Sequence, residues 1–400
     1  MRRRDWLLGL AASTARLAAS DDPFTGGKLH ADVRRYWRIG EHRTGTVADQ
    51  QTSEWLQDEL RRAGFETRLQ TFELRQWFPR DCLVNAGGRR VLGFPLWPVS
   101  IGTVEGELGK EIAVLRLPYD SGGAVNDRSP APSLIEKAAA GGARAVVLIT
   151  EGPTGEAIAL NAERDIDRWP VPVLLVGPKY AGPLTSGRAR LVVDAEERPR
   201  TQATNVQGWR GSGAKSIVIS TPKSGWFRCA GERGPGVAMW LAMARAIGRR
   251  QGPFRYVFTA NSGHELHGLG MKAFLKEGAP KPAETACWIH FGAGIATFRW
   301  EGDRKTAEVD PKRYLTATPD VVPLLEQPFA GLAGLQPRSD RLLGELVYLG
   351  AAGYRCFGIA AGHRFHHVVT DGPETTSPEL LEPVARAFLR ALEAVESRFT

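Results

Sequence analysis

Cysteine is scarce. The 400 residues hold four, Cys82, Cys229, Cys287 and Cys356, and no two form a CxxC pair. This removes a CxxC redox or metal pair from consideration, and the spacing assigns no disulfide partners. Cys287 and Cys356 lie in apolar, strand-like runs and read as buried thiols. There is also no long apolar run. After the N-terminus, no stretch reaches the roughly 20 apolar residues that a membrane span needs. There is no long polar tract, low-complexity segment or internal repeat, which excludes wholesale disorder and repeat architectures. No basic stripe is interleaved with aromatics, so the net charge of +8 reads as a solvated basic surface and not as a nucleic-acid footprint.

Part of that charge marks the N-terminus. Residues 1–20 carry Arg2, Arg3, Arg4 and Arg16 against Asp5, a balance of +3 that leaves +5 for the remainder. The arginines precede an apolar run from Trp6 to Ala12, and Ala18-Ala19-Ser20 offers small residues for cleavage. This pattern reads as an export signal, with the paired arginines resembling a twin-arginine signal. An ordinary secretory signal and an uncleaved anchor are the alternatives. The expected destination is periplasmic or extracellular.

Four hundred residues exceed what one core usually supports, so two domains are expected. Thr52 to Arg62 has helical spacing with Trp55, Leu56 and Leu60 on one face, and Thr67 to Leu74 alternates like a strand. A second unit begins near Val99 and closes near Val193. It holds strands around 112–115, 145–149 and 170–176 and a helix from Ser133 to Ala140. Strands then alternate with helices: Ser216–Ser220, helix Gly236–Ile247, Tyr256–Thr259, helix Gly268–Leu275, Ala286–Phe291 and Cys356–Ala360. Ser377-Pro378 opens a last helix, with proline suited to its first turn. The predicted class is α/β, a mostly parallel sheet with helices on both faces.

Several segments are more specific. Thr204-Asn205-Val206 leads into Ile217-Val218-Ile219, then a loop and Gly236-Val237-Ala238 opening a helix. Tyr256–Thr259 is followed by Gly263-His264-Glu265 and Gly270. Ser339-Asp340, Gly353 and Phe357-Gly358-Ile359 come late, and Phe365-His366-His367 precedes Asp371 and the closing helix. In this order the segments resemble the zinc aminopeptidase family, which includes glutamate carboxypeptidases, glutaminyl cyclases and the transferrin receptor. The middle unit, with Gly141-Gly142-Ala143 and Val171-Pro172-Val173, resembles the protease-associated domain often inserted in that family. After the export signal read over 1–20, the resemblance implies an exopeptidase-like domain from 25–95 and 201–400 and a protease-associated domain over 96–200.

The family uses two zinc ions at the carboxyl ends of parallel strands, and here its ligand pattern is incomplete. The first histidine falls on Pro222, the aspartate two residues later on Ser224, and a later aspartate on Gly292, with His290 close by. The bridging aspartate falls on Glu232, the next glutamate is kept as Glu265, and the last histidine is His367. The positions that would hold only the first zinc are lost, and those of the second are retained. One histidine and two carboxylates suffice for a catalytic zinc with an open position. The resemblance therefore implies a hydrolase of the aminopeptidase type that cleaves peptide or related amide bonds. One zinc would sit on Glu232, Glu265 and His367, and His264 would stand where the family has its general-base glutamate.

Other readings stand beside this one. Glu232 next to Arg233 is often just an ion pair at a helix start, and Glu265 a solvated helix-start carboxylate. His366 and His363 make a local cluster with His367 that favours metal. Ser224 or Cys229 would be a nucleophile if a histidine stood beside it, giving a metal-independent hydrolase, and Cys229 could also be a soft extra zinc ligand. A catalytically inactive member that binds a peptide, protein or glycan is the remaining alternative. Oligomeric state is left open.

Overall fold

The computed structural model describes residues 22–120 and 123–400. The export signal expected over residues 1–20 lies outside the described residues. Four strands run parallel side by side, in the order Cys356–Ala361, Thr285–Phe291, Ser216–Pro222 and Arg255–Asn261. Alternate side chains of each strand enter different cores, as the two-residue period of a strand requires. Ile217, Ile219, Phe258 and Ile289 join one core, while Val218, Val257 and Trp288 join the other. Both faces are covered, so these segments read as near-continuous apolar runs.

The larger core is built on helices Gly26–Ile39, Gly234–Ile247 and Pro378–Phe399. Helix Gly234–Ile247 is buried almost all round. Pro235 starts it without losing a needed N–H. A Cβ on Gly236 would lie 2.9 Å from Thr221 Oγ1 and 3.2 Å from Gly292 O, so only glycine lets the helix start approach the strand ends. Pro378–Phe399 buries Leu381, Val384, Phe388, Leu392 and Val395, and the Phe388 ring packs edge-on against Phe291 and Phe329. Each such ring contributes about 1.5–3 kcal/mol over an exposed one. Helices Leu269–Glu277 and Leu346–Ala351 cover the opposite face.

Beyond Arg255–Asn261 the sheet turns antiparallel. Strands Glu66–Ala86 and Arg188–Arg210 pair from Glu66↔Trp209 to Ala86↔Ala189, with register shifts between Leu74/Gln76 and Pro79/Asp81. A second sheet has the order Phe94–Pro95, Val173–Val176, Ala145–Thr150 and Ile112–Leu117. Its last three strands are parallel.

The expected strand Thr67–Leu74 is the beginning of the 21-residue strand Glu66–Ala86. The helix expected from Gly268 starts at Leu269, because Gly268 adopts a left-handed conformation with φ 65°. A hairpin, Phe298–Glu301 with Arg304–Val309, was not expected. Its residues are half-buried or exposed, so it lacks the apolar alternation that marks a strand.

Candidate metal centre

Four parallel strands place their carboxyl ends on one edge, the usual position for a site in an open α/β sheet. The loop after Ser216–Pro222 carries Ser224, Cys229, Glu232 and Arg233 to that edge. Cys229 takes a left-handed turn, φ 47°, and its carbonyl accepts from the Arg233 N–H at 2.9 Å. Asp371 fixes the backbone ahead of the helix, accepting from the N–H groups of Gly231 at 2.9 Å and Glu232 at 3.0 Å. Burial nevertheless raises the Asp371 carboxyl to about 8.

The loop after Cys356–Ala361 delivers His363, His366 and His367. His367 is also left-handed, φ 58°, and its ring stacks on His366 with centroids 4.0 Å apart. His367 Nδ1 lies 3.0 Å from the carbonyl oxygen of Ala159, which can only accept. Nδ1 therefore carries the proton, and in the neutral ring Nε2 turns a lone pair toward Glu232 Oε1, 3.4 Å away.

Glu232, His366 and His367 each offer a ligand atom, all within 4.8 Å of one another. Both Glu232 oxygens, His366 Nδ1 and His367 Nε2 are buried without a hydrogen-bond partner. Buried polar atoms are rarely left so. Burial pushes the Glu232 carboxyl up, but Arg233, then His367 and His366, outweigh it and hold it well below the usual range. Burial, with His367 adding to it, drives His366 well below its ordinary value, so its ring is neutral near pH 7. A carboxylate and two imidazoles suit one zinc ion.

Glu265 stands apart from this group. Its Oε1 accepts from the N–H and Oγ1 of Thr44, both at 2.7 Å, and its Oε2 accepts from Ser224 Oγ at 2.7 Å. Of the set expected from the sequence, Glu232 and His367 fall in the group of converging ligand atoms with His366, and Glu265 does not. Glu265 is taken up by hydroxyl and amide donors that arrive from distant parts of the chain.

His264 is part-buried, with Nδ1 2.9 Å from Glu345 Oε1. The other Glu345 oxygen lies 3.8 Å from His290 Nε2. His290 Nδ1 is 2.8 Å from Ser220 Oγ, which accepts from Trp288 Nε1 at 2.7 Å. Burial lowers His290 to about 4. Glu345 escaped the sequence reading because it belongs to no motif. Ser224 Oγ bonds Glu265 and receives the His264 N–H at 3.3 Å. Burial, reinforced by Glu232, raises the Cys229 thiol well above its ordinary value. Among the described residues, neither Ser224 Oγ nor Cys229 Sγ hydrogen-bonds a histidine ring.

The region between the ribbon strands covers the site. A Cβ on Gly123 would sit 2.6 Å from His367 Nδ1. Asn161 Oδ1 accepts from Trp226 Nε1 at 3.0 Å, and the Ala162 N–H bonds Glu265 O at 2.9 Å. Gly123 and Ile158 also line a cavity of about 220 Å³.

Solved structures share this arrangement of strands and helices. A zinc aminopeptidase from Bacillus subtilis superposes with a TM-score of 0.74, covering 95% of this chain and 97% of its own at 15% identity. The fold is that of the zinc exopeptidases. A Peptidase M28 precursor from Shewanella amazonensis gives a TM-score of 0.70 over 93% of this chain and 96% of its own, at 14% identity. A glutaminyl cyclase from Porphyromonas gingivalis gives 0.51 over 93% and 99%, at 10% identity. No family model and no curated protein matches the chain. Among the described residues no helix is long and apolar enough to cross a membrane.

Proposed function

We propose that this chain is a metallopeptidase-like hydrolase that cleaves peptide or related amide bonds with a single zinc ion on Glu232, His366 and His367. The observation that carries the reading is the group of four buried polar atoms without hydrogen-bond partners, two on Glu232 and one on each histidine. The shared fold of zinc peptidases supports it. Zinc held there would supply Lewis acidity toward a scissile carbonyl. His264 handles the proton. Glu345 accepts its Nδ1–H and so frees Nε2 to take a proton from water and return it to the departing amine. Within this reading residues 1–20 direct export, and the second sheet belongs to a protease-associated domain.

Elemental mass spectrometry of the purified protein, after zinc incubation and desalting, tests the proposal. Close to one zinc per chain is expected, lost in the Glu232→Gln, His367→Ala double variant together with any hydrolysis of aminoacyl amides. A chain that retains no zinc sinks it. One observation favours a second reading, a binding module without catalysis: Glu232 and His367 are each only 1% exposed. In that case peptide or glycan binding persists in the double variant.

A further inference from the structure

Arg233 is the unexplained group beside the centre. Its side chain is 1% exposed, and Nη2 lies 2.8 Å from Glu232 Oε1. Nε donates to Ser224 O at 2.9 Å, which ties the guanidinium to the loop, while Nη1 and Nη2 have no hydrogen-bond partner. The same Glu232 oxygen faces His367 Nε2 at 3.4 Å. One carboxylate thus serves both a permanent cation and the candidate ligand group.

We infer that Arg233 is a built-in cation that competes with a divalent metal for Glu232 and thereby weakens metal binding. The inference rests on the single-zinc reading above. Guanidinium does not lose its proton in a protein, so the competition is present at every working pH. Without metal, Arg233 compensates a buried carboxylate that would otherwise stand alone, which stabilises the empty chain. With metal, two like charges share one low-dielectric site. Both effects favour the metal-free state. A chain lacking the guanidinium has a Glu232 that only a metal or a proton can neutralise.

The test compares wild type with Arg233→Met, which keeps an apolar stem and removes the charge, using zinc ion alone as probe. Affinity is read by competition with a chromophoric chelator, and Tm is read with and without zinc. The methionine variant is expected to bind zinc about tenfold tighter. Its metal-free form melts below wild type, and zinc raises its Tm by more than it raises that of wild type. Folding only when zinc is present would be the same result in extreme form. Equal or weaker zinc affinity in the folded variant overturns the inference. Should the variant not fold even with zinc, Arg233→Gln, which keeps a donor toward Glu232 without charge, reads the same difference. If zinc binds only the variant, competition stands and the single-zinc reading of the native chain falls. If neither binds zinc, both fall.

Discussion

Glu232 and Glu265 lie at the carboxyl edge of one parallel sheet, both buried, and differ in what their oxygens touch. Glu265 accepts three hydrogen bonds from Thr44 and Ser224. Glu232 accepts none and is met by a guanidinium and an imidazole. The difference separates a carboxylate that holds loops together from one that is available to a ligand. Glu265 already uses three of its about four acceptor positions on N–H and O–H groups, which leaves it less to give a metal than Glu232 has.

The largest effect belongs to Glu232→Gln. Zinc affinity is expected to fall about 100-fold, and the unpaired Arg233 destabilises the fold by about 3–5 kcal/mol. Calorimetric zinc titration and denaturant unfolding read the two quantities. A variant that binds zinc like wild type would erase the distinction between the glutamates.

Acid also separates the two ends. Burial lowers His363 and His290 to about 4 from an ordinary 6.5. Between those values the unfolded chain binds more protons than the folded one. Their contribution to stability is therefore full above about pH 6.5 and is lost as pH falls toward 4, opposed in sign by Asp371, whose carboxyl is raised to about 8 in the fold. Tm measured from pH 7.5 to 4.5 should drop steeply, and a flat profile would show that these rings are charged in the fold. The donors around Glu265 do not titrate in this range, so substitutions there should not change the shape of the profile.

Glu265→Gln should cost about 2–3 kcal/mol of stability, because an amide replaces a charged acceptor and turns a donor toward other donors. Zinc affinity should stay near that of wild type, and loss of zinc in this variant would restore Glu265 to the ligand set. The smallest effect is expected from Thr44→Val, about 1–2 kcal/mol by denaturant unfolding. That change removes a hydroxyl that donates to Glu265 and accepts from the Gly263 N–H.

Much of the scaffold was legible in the sequence. The apolar runs at 216–220, 286–291 and 356–360 are strands, and the stripe through Leu381, Val384 and Phe388 is a helix face, because local periodicity reports burial. The site was legible only in part. Glu232 and His367 stand in segments whose order could be read, and they are brought together. Glu265 follows a strand end as expected, but its fate is decided by Thr44, which comes from 221 residues away in the chain. Glu345 approaches His264 from 81 residues away and has no local signature. Spacing shows where a side chain begins, and only packing shows what meets its far end.

The ribbon of Glu66–Ala86 and Arg188–Arg210 has an engineering consequence. A strand of that length reaches on the order of 60–70 Å, and the far half of the pair packs against the second sheet through Val84, Leu191 and Val193. The second sheet therefore cannot be unplugged at a linker. Deleting residues 87–187 would leave the pair projecting with Val84, Leu191 and Val193 uncovered, an adhesive edge where the native chain has a core. Because the same pair is hydrogen-bonded to the strand Arg255–Asn261, a load applied at the second sheet would be transmitted toward the strands that end at the candidate metal centre.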